Sequence, residues 1–371
     1  MTPAPGPALV FIGLSFLLAL ALGYVLTPLA VRLAARLGAI DNPDAARRVH
    51  DRPIPRAGGV AVVTAFVVVG VGATAVNAAT GIVPGRGTIL PVEMAVLFGG
   101  AAIAAVLGFL DDRYQLRARW QLMGQVGLAL LAVAAGMTIP FVNNPLGGTI
   151  DLQSLGGSVA VVVTVLWIVG MINSINFIDG LDGLSTGISL IAAVTLGVIS
   201  LTIDLYQPEV ALVCAVLAGS LAGFLRWNFF PARVFIGTTG VYAVGFALAV
   251  ISVVGTAKVA LALLVLGVPI IDTFWIIVRR LIERQSPFTP DRGHFHHRLL
   301  DLGLTHRGAV LVIYGLCILL AVMSLVLSGT GQAFAFVGIV LGGGLVLYLM
   351  TRRAREALDA RAYEEPPVSR V

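Results

Sequence analysis

Long apolar runs occupy most of the chain, and the polar residues gather in short segments between them. A helix needs about 20 mostly apolar residues to cross a bilayer, and its backbone groups must be paired within the segment. The pattern therefore predicts about eleven transmembrane helices. We expect them near residues 8–31, 58–78, 92–110, 120–138, 157–174, 185–203, 210–226, 239–255, 259–281, 308–328 and 333–351.

The composition supports an all-α polytopic membrane protein. Of the 371 residues, 58% are hydrophobic and 12% are charged. Soluble domains carry about 25% charged residues, roughly twice this share. No internal repeat and no separate soluble segment is visible. We therefore expect one membrane-embedded domain over residues 1–351, followed by a solvated tail over 352–371.

The positive charges are distributed unevenly between the predicted loops. Of the 24 Lys and Arg residues, all but Arg86 and Lys258 fall in every second loop or in the tail. Because cytoplasmic loops retain Lys and Arg, these loops are predicted to be cytoplasmic, with the N-terminus outside and the C-terminus inside the cell's inner (plasma) membrane. The basic residues form no separate domain, which argues against nucleic acid. Anionic membrane lipids and phosphorylated substrates are the expected partners.

Two adjacent carboxylates, Asp111 and Asp112, lie at the cytoplasmic end of the third predicted helix. They repel one another, and a helix C-terminus already carries partial negative charge. A divalent cation would offset this cost, and oxygen ligands suit Mg²⁺. The alternative is a solvated loop that Arg113, Arg117 and Arg119 neutralise.

A second polar cluster is the segment NSINFIDGLDGLSTG, residues 173–187, which directly follows an apolar helix. A spacing of three places Asn176, Asp179 and Asp182 on one side of a helical turn. A simple turn between two helices would need fewer polar residues. We therefore favour a binding or catalytic site over a structural turn, because polar groups at membrane depth are usually functional.

Three of the five histidines fall in the segment SPFTPDRGHFHHRL, residues 286–299. A zinc site is the weaker interpretation of His294, His296 and His297, because no cysteine lies near them. With Arg292 alongside, the cluster is more typical of a cradle for diphosphate oxygens or of acid–base groups. Asp272, within the ninth predicted helix, either pairs with a nearby arginine or takes part in catalysis.

Two further loops are predicted to be cytoplasmic, and one of them has both an ordinary and a functional interpretation. The segment RWNFFPARVFIGTTG, residues 226–240, holds Asn228 but otherwise reads as a Pro/Gly loop. The first inner loop holds Arg56, three other arginines and His50. Its arginines either anchor the loop to the membrane or bind the phosphate of a lipid at the interface.

Together these segments resemble the polyprenyl-phosphate N-acetylhexosamine-1-phosphate transferases. The resemblance runs from about residue 40 to 307 and rests on five segments in the family's order: DNPDAARRVHDRPIPRAGG, GFLDDR, NSINFIDGLDGL, NFFPARVFIG and SPFTPDRGHFHHRL. The HFHHR form is most similar to the bacterial undecaprenyl-phosphate GlcNAc-1-phosphate transferases. Each motif alone is weak evidence for the family, but five motifs in the family's order, all at the predicted cytoplasmic face, are specific evidence.

The resemblance implies a Mg²⁺-dependent reaction, with Mn²⁺ as an alternative, that initiates a cell-envelope polysaccharide. A polyprenyl phosphate attacks the β-phosphate of a UDP-sugar, most simply UDP-GlcNAc, and UMP leaves. Since nucleophile and electrophile are both anionic, a cation and arginines must screen their repulsion. The implied catalytic residues are Asp111, Asp112, Asp182 and His296. The expected substrate-binding residues are Asn176, Asp179, Asn228, Arg292, His294, His297 and Arg56, and a homodimer stays open.

The chain departs from the family pattern at one expected metal ligand. Where the family has Gly-Asp-x-Gly-Ser, this chain has Gly237-Thr238-Thr239-Gly240-Val241. The expected metal ligands are then Asp112, Asp182 and Thr238, of which the threonine contributes no negative charge. The expectation is weaker metal binding. A working enzyme, a slow enzyme and an impaired relative that binds lipid phosphate or nucleotide without turnover all remain open.

Overall fold

The computed structural model describes residues 5–38, 40–41, 54–85, 89–144, 148–202, 206–254, 258–284, 293–327, 331–332, 334–346 and 348–349. Within these residues the chain is almost entirely helical. The helices are α1 (Pro5–Leu37), α2 (Gly58–Thr80), α3 (Pro91–Tyr114), α4 (Ala118–Ala134), α5 (Gly157–Ile178), α6 (Leu184–Ile199), α7 (Pro208–Asn228), α8 (Gly237–Val254), α9 (Lys258–Val265), α10 (Gly267–Ile282), α11 (Phe295–Asp301), α12 (His306–Val326) and α13 (Phe334–Val346).

Two short antiparallel ribbons join some of the helices. Strands β1 (Ile40–Asp41) and β2 (Ile54–Pro55) pair before α2. Strands β3 (Phe141–Asn143) and β4 (Thr149–Asp151) pair between α4 and α5. The apolar pattern did not predict either ribbon, because strands of two or three residues produce no measurable alternation.

Seven of the helices are long and apolar enough to cross a membrane, namely α1, α2, α3, α5, α7, α8 and α12. Many of their large apolar side chains are exposed, such as Leu14 on α1 and Leu319 on α12. Such a surface suits contact with lipid rather than water. The molecule is thus a multi-pass helical membrane protein. The count of about eleven spans and the orientation of the termini stay predictions.

The structure divides the single helix expected at 259–281 into α9 and α10, which meet at Leu266. Pro269 lies in the first turn of α10. Because proline has no N–H and its ring clashes with the carbonyl four residues earlier, the ladder is interrupted at this point. The seven-residue helix α11 was also not predicted, because its sequence FHHRLLD contains no apolar run.

Helix α8 lies at the centre of the bundle and packs against α2, α3 and α5. Nearly all of its side chains are buried. Two glycines let neighbouring helices approach its first turn. A methyl group at Gly59 of α2 would collide with the backbone of Gly240, and one at Gly108 of α3 with the carbonyl of Thr238. Small residues at such contacts are typical of membrane bundles, and here they bring the end of α3 to the start of α8.

Candidate functional site

The carboxylate of Asp112, in the last turn of α3, binds the first turn of α8. Its Oδ1 accepts a hydrogen bond from the Thr238 amide at 2.9 Å. Its Oδ2 accepts from the Thr239 amide at 2.9 Å and from the Thr239 hydroxyl at 2.8 Å. The first amides of a helix have no partner within the helix and favour negative charge. The start of α8 therefore stabilises a carboxylate that the end of α3 disfavours.

Asp111 is held by donors from the connection between α3 and α4 and from the first turn of α4. Its Oδ1 accepts from the Leu116 amide at 3.0 Å and from Gln121 Nε2 at 2.7 Å. Among the described contacts Oδ2 accepts no hydrogen bond. The two carboxylates thus bind different protein donors, and Asp111 keeps one oxygen open to a ligand.

In the turn after α5, Asp179 and Asp182 lie close enough that, besides burial, the charge of Asp182 raises the pKa of Asp179. The Ser185 hydroxyl donates to Asp179 Oδ1 at 2.5 Å. Burial raises the pKa of Asp179 to about 6, while Ser185 and the Arg56 charge act in the opposite direction. Gly183 follows with a φ of 78°, a left-handed conformation that favours glycine. The turn therefore presents a carboxylate that changes its protonation near neutral pH.

The loop between α7 and α8 is tied to this turn. The Ala232 amide donates to Asp182 Oδ2 at 2.8 Å. Asn228, which is only 2% exposed, accepts from the Thr186 hydroxyl at 2.7 Å and donates to the Val234 carbonyl at 2.9 Å. Both polar ends of Asn228 are therefore bound to the protein, and the side chain fixes the loop. Asn176, predicted to bind substrate, is half-buried one turn before Asp179.

The histidine segment is anchored by Asp272 of α10. Asp272 is 2% exposed; its Oδ2 lies 2.8 Å from His294 Nδ1, and its Oδ1 accepts from the Phe295 amide at 2.8 Å. This carboxylate therefore orients His294 and caps α11. The sequence alone leaves open whether Asp272 pairs with an arginine or acts in catalysis, and it does not identify His294 as a partner.

His296 carries the histidine segment onto the turn after α5. Its ring lies against Gly180, where an added methyl group would collide with Nε2. His296 also stacks on His294 at 5.5 Å and contacts the His297 ring at 4.3 Å, both between ring centroids. It is 1% exposed, and neither ring nitrogen has a hydrogen-bond partner among the described residues. Burial, followed by the neighbouring imidazoles, lowers the pKa of His296 well below its usual range, so the ring is neutral.

Arg56 connects the first inner loop to the same place. A methyl group at Gly237 would meet the Arg56 carbonyl and would lie 2.7 Å from Asp112 Oδ2. The Arg56 charge also lies near Asp179. Arg292, together with His50 and the other three arginines of the first inner loop, lies outside the described residues. The described residues of the predicted clusters therefore converge at one end of the bundle.

The carboxylates do not form a ready-made metal cage. Among the described residues, no group of three or more His, Cys, Asp or Glu side chains is arranged to hold a metal ion. Mg²⁺ usually takes only one or two carboxylates and completes its coordination with water and substrate phosphates. Asp111 Oδ2 and Asp182 Oδ1 accept no hydrogen bond among the described contacts, so the oxygen donors fit Mg²⁺ held in this manner. Asp112 and Thr238 as ligands stay predictions.

Two residues of α12 that sequence reasoning missed also reach this site. His306 Nε2 accepts from the Asp182 amide at 2.9 Å, and the Tyr314 hydroxyl donates to the Gly183 carbonyl at 2.5 Å. The sequence did hold a signal for the first of them, because His306 is one of only five histidines. No local pattern marks Tyr314, which lies within an apolar run.

The chain is similar in sequence to several known proteins over most of its length. A family model described as glycosyl transferase family 4 matches residues 94–256. The chain is 37% identical to the probable undecaprenyl-phosphate N-acetylglucosaminyl 1-phosphate transferase of Bacillus subtilis, over 85% of this chain and 84% of that protein. It is 33% identical to the decaprenyl-phosphate N-acetylglucosaminephosphotransferase of Mycobacterium tuberculosis, over 88% and 86%. A Thermotoga maritima undecaprenyl-phosphate alpha-N-acetylglucosaminyl 1-phosphate transferase is 31% identical over 74% and 78%.

Proposed function

The chain belongs to glycosyl transferase family 4, and from this membership we propose that it transfers N-acetylglucosamine 1-phosphate from UDP-GlcNAc to a polyprenyl phosphate. An acceptor phosphate oxygen attacks the β-phosphorus of the donor. The bond between that phosphorus and the bridging oxygen breaks, and UMP leaves with the oxygen. The relatives from Bacillus subtilis and Mycobacterium tuberculosis are named for transferring the same sugar phosphate to polyprenyl phosphates.

The observation that carries the proposal is the convergence of acidic, imidazole and guanidinium groups at one end of the bundle. Asp112 bonds to the start of α8, Asp182 bonds to Ala232, and His296 lies on Gly180. Segments more than a hundred residues apart in sequence therefore share one site. Two anionic substrates need such a site, because their mutual repulsion must be screened before they react.

Four of the described side chains have contacts that support a proposed role. Asp111 has a free Oδ2 to face the acceptor phosphate, and Asp182 has a free Oδ1 to help hold Mg²⁺. When bound, Mg²⁺ would screen the phosphates and stabilise charge on the departing UMP. His294 is oriented through Nδ1 by Asp272, which leaves Nε2 as the ring nitrogen available to substrate. Arg56 supplies positive charge beside Asp179.

The distribution of charge and the relatives also support a proposal for the membrane, for the face that carries the site and for the product. The loops that carry this site also carry most of the Lys and Arg residues, which favours the cytoplasmic face of the plasma membrane. A site on this face would take its UDP-sugar donor from the cytoplasm. The product would start a cell-envelope polysaccharide.

The direct test is UMP release by the purified protein in detergent, with UDP-GlcNAc, polyprenyl phosphate and Mg²⁺. We expect release that depends on all three additions and that falls at least about a hundredfold in Asp111→Asn and Asp182→Asn, because each variant loses a carboxylate charge that would attract Mg²⁺ to the phosphates. Asp151→Asn is the matched control, because Asp151 is an exposed carboxylate of β4, before α5 rather than after it.

A second candidate function follows from Thr238, which stands where the resemblance to the family implies an aspartate. If the wild type binds UDP-GlcNAc but releases no UMP, and Thr238→Asp restores release, the chain is an impaired member that binds without turnover. Absence of both binding and release in every variant would overturn the assignment to this reaction.

A further inference from the structure

One face of α12 contacts the turn that carries Asp182, and this contact has no role in the function derived above. Helix α12 (His306–Val326) lies outside residues 94–256, the segment that the family model matches. Two of its side chains bind backbone atoms of the turn: His306 binds the amide of Asp182, and Tyr314 binds the carbonyl of Gly183.

His306 fixes the amide side of Asp182. Its Nε2 accepts the Asp182 N–H at 2.9 Å, whereas the same nitrogen lies 3.9 Å from Asp182 Oδ1. The longer distance is not a hydrogen bond. Because Nε2 is the acceptor, it carries no proton, and the imidazole holds the backbone rather than the carboxylate. The two side chains are only 13% and 12% exposed, so water does not compete freely for this contact.

Tyr314 fixes the carbonyl side of the next residue. Its hydroxyl donates to the Gly183 carbonyl at 2.5 Å. The phenol ring lies so close to Gly187, in the first turn of α6, that a methyl group there would collide with the hydroxyl oxygen. The turn is thereby held between α12 and α6, and Gly183 keeps its left-handed conformation with a φ of 78°.

The loop between α7 and α8 completes the arrangement. The Phe230 ring stacks on His306 at 4.9 Å between centroids and 28° between planes. Two residues later, the Ala232 amide donates to Asp182 Oδ2. The backbone amide and Oδ2 of Asp182 are thus fixed from two directions, and Oδ1 is the oxygen that accepts no hydrogen bond among the described contacts.

We propose that His306 and Tyr314 are positioning residues, which hold the Asp182 turn so that Asp182 Oδ1 faces the diphosphate site. Neither residue touches substrate in this arrangement. Their effect on transfer passes through Asp182, so the inference rests on the proposed function. A displacement of about 1 Å in a reacting group can cost a hundredfold in rate.

The test compares three substitutions of His306. His306→Gln places a carbonyl oxygen near the position of Nε2 and keeps an acceptor for the Asp182 amide. His306→Asn also carries an amide, but its oxygen falls about one bond short, and His306→Leu has no acceptor. We expect kcat for UMP release to fall at least about tenfold in the Asn and Leu variants and to stay within about threefold in Gln. Tyr314→Phe, which loses only the hydroxyl, should lower kcat by a similar factor.

Two further measurements separate positioning from general damage. The Mg²⁺ concentration for half-maximal rate should rise in His306→Leu, whereas KM for polyprenyl phosphate should not. Hydrogen–deuterium exchange should speed up in the peptide over residues 176–188 in His306→Leu and not in His306→Gln. The control is Leu319→Ala, because Leu319 lies on the exposed side of the same helix.

Each outcome decides between the inference and the proposed function. If the wild type is active and His306→Leu has the same kcat and the same exchange rate as the wild type, the inference is overturned and the proposed function stands. Equal losses in His306→Gln and His306→Leu would also overturn it, because the acceptor would then be irrelevant. A wild type that releases no UMP would overturn the proposed function and with it the role in transfer.

Discussion

Asp179 is the residue whose protonation state most directly couples the structure to pH. Burial holds its pKa at about 6, above the usual 3.8 for an aspartate. The carboxylate is therefore ionised above about pH 6 and protonated below it. Because a neutral Asp179 would no longer add negative charge beside Asp182, where we propose that Mg²⁺ binds, we expect kcat/KM for UDP-GlcNAc to fall as the pH drops through this value.

Removing the Ser185 hydroxyl should move this acidic limb to higher pH. The hydroxyl donates to Asp179 Oδ1 and lowers its pKa, so Ser185→Ala should raise the pKa by about 0.5 to 1 unit. The measurement is the pH profile of kcat/KM between pH 5 and 8. Ser154→Ala, at an exposed serine before α5, should leave the profile unchanged. If the acidic limb of the profile stays in place or moves to lower pH in Ser185→Ala, Asp179 is not the group whose protonation sets this limb.

Thr238 is the second residue whose chemistry can be tested alone. Thr238→Asp should lower the Mg²⁺ concentration for half-maximal activity by roughly tenfold, because the charge of the ligands tunes divalent affinity. Without Mg²⁺ the new carboxylate would lie beside Asp112 and repel it, so the thermal midpoint should fall and then recover on adding Mg²⁺. Thr238→Asn is the neutral control. A midpoint that does not respond to Mg²⁺ would argue against a metal at this position.

At the scale of elements, the position of α11 depends on the absence of a side chain at Gly180. His296 lies directly on this glycine. Gly180→Ala should push α11 away from the turn and lower kcat at least about tenfold. Gly170→Ala on α5 is the matched control, because no atom lies within 4 Å of its added methyl group, and alanine is favoured in a helix. Equal activity of the two variants would show that α11 need not rest on the turn.

Sequence predicted the helices far better than it predicted what joins them. Apolar runs mark α3 and α5 because a segment that crosses lipid must be apolar over a fixed length. The apolar run of α8 also reflects its position at the centre of the bundle, where nearly all of its side chains are buried. The break before Pro269 and the short polar helix α11 leave no trace in such runs. Contacts such as that of Asp112 with Thr238, 126 residues apart, cannot be read from local pattern. The motifs located most of the site's residues, whereas the contacts of His306 and Tyr314 with the Asp182 turn are seen only in the packing.

At the scale of the whole molecule, the site lies at one end of a bundle whose two ends differ in charge. Arg56, Arg113 and Arg307 lie at the end that carries Asp112 and Asp182. The opposite end, which carries β3 and β4, has the exposed carboxylate of Asp151 and little positive charge. By the positive-inside rule the site end is predicted to face the cytoplasm.

Cysteine labelling in intact cells tests this orientation. Ser154→Cys lies in the exposed turn after β4, and Leu302→Cys lies between α11 and α12 at a residue that is 65% exposed. A membrane-impermeant maleimide should label Ser154→Cys in intact cells and Leu302→Cys only after permeabilisation. The two native cysteines, Cys214 and Cys317, are fully buried and should give no background. Labelling of Leu302→Cys in intact cells would place the site outside, where no cytoplasmic UDP-sugar could reach it, and would refute the proposed reaction together with the topology.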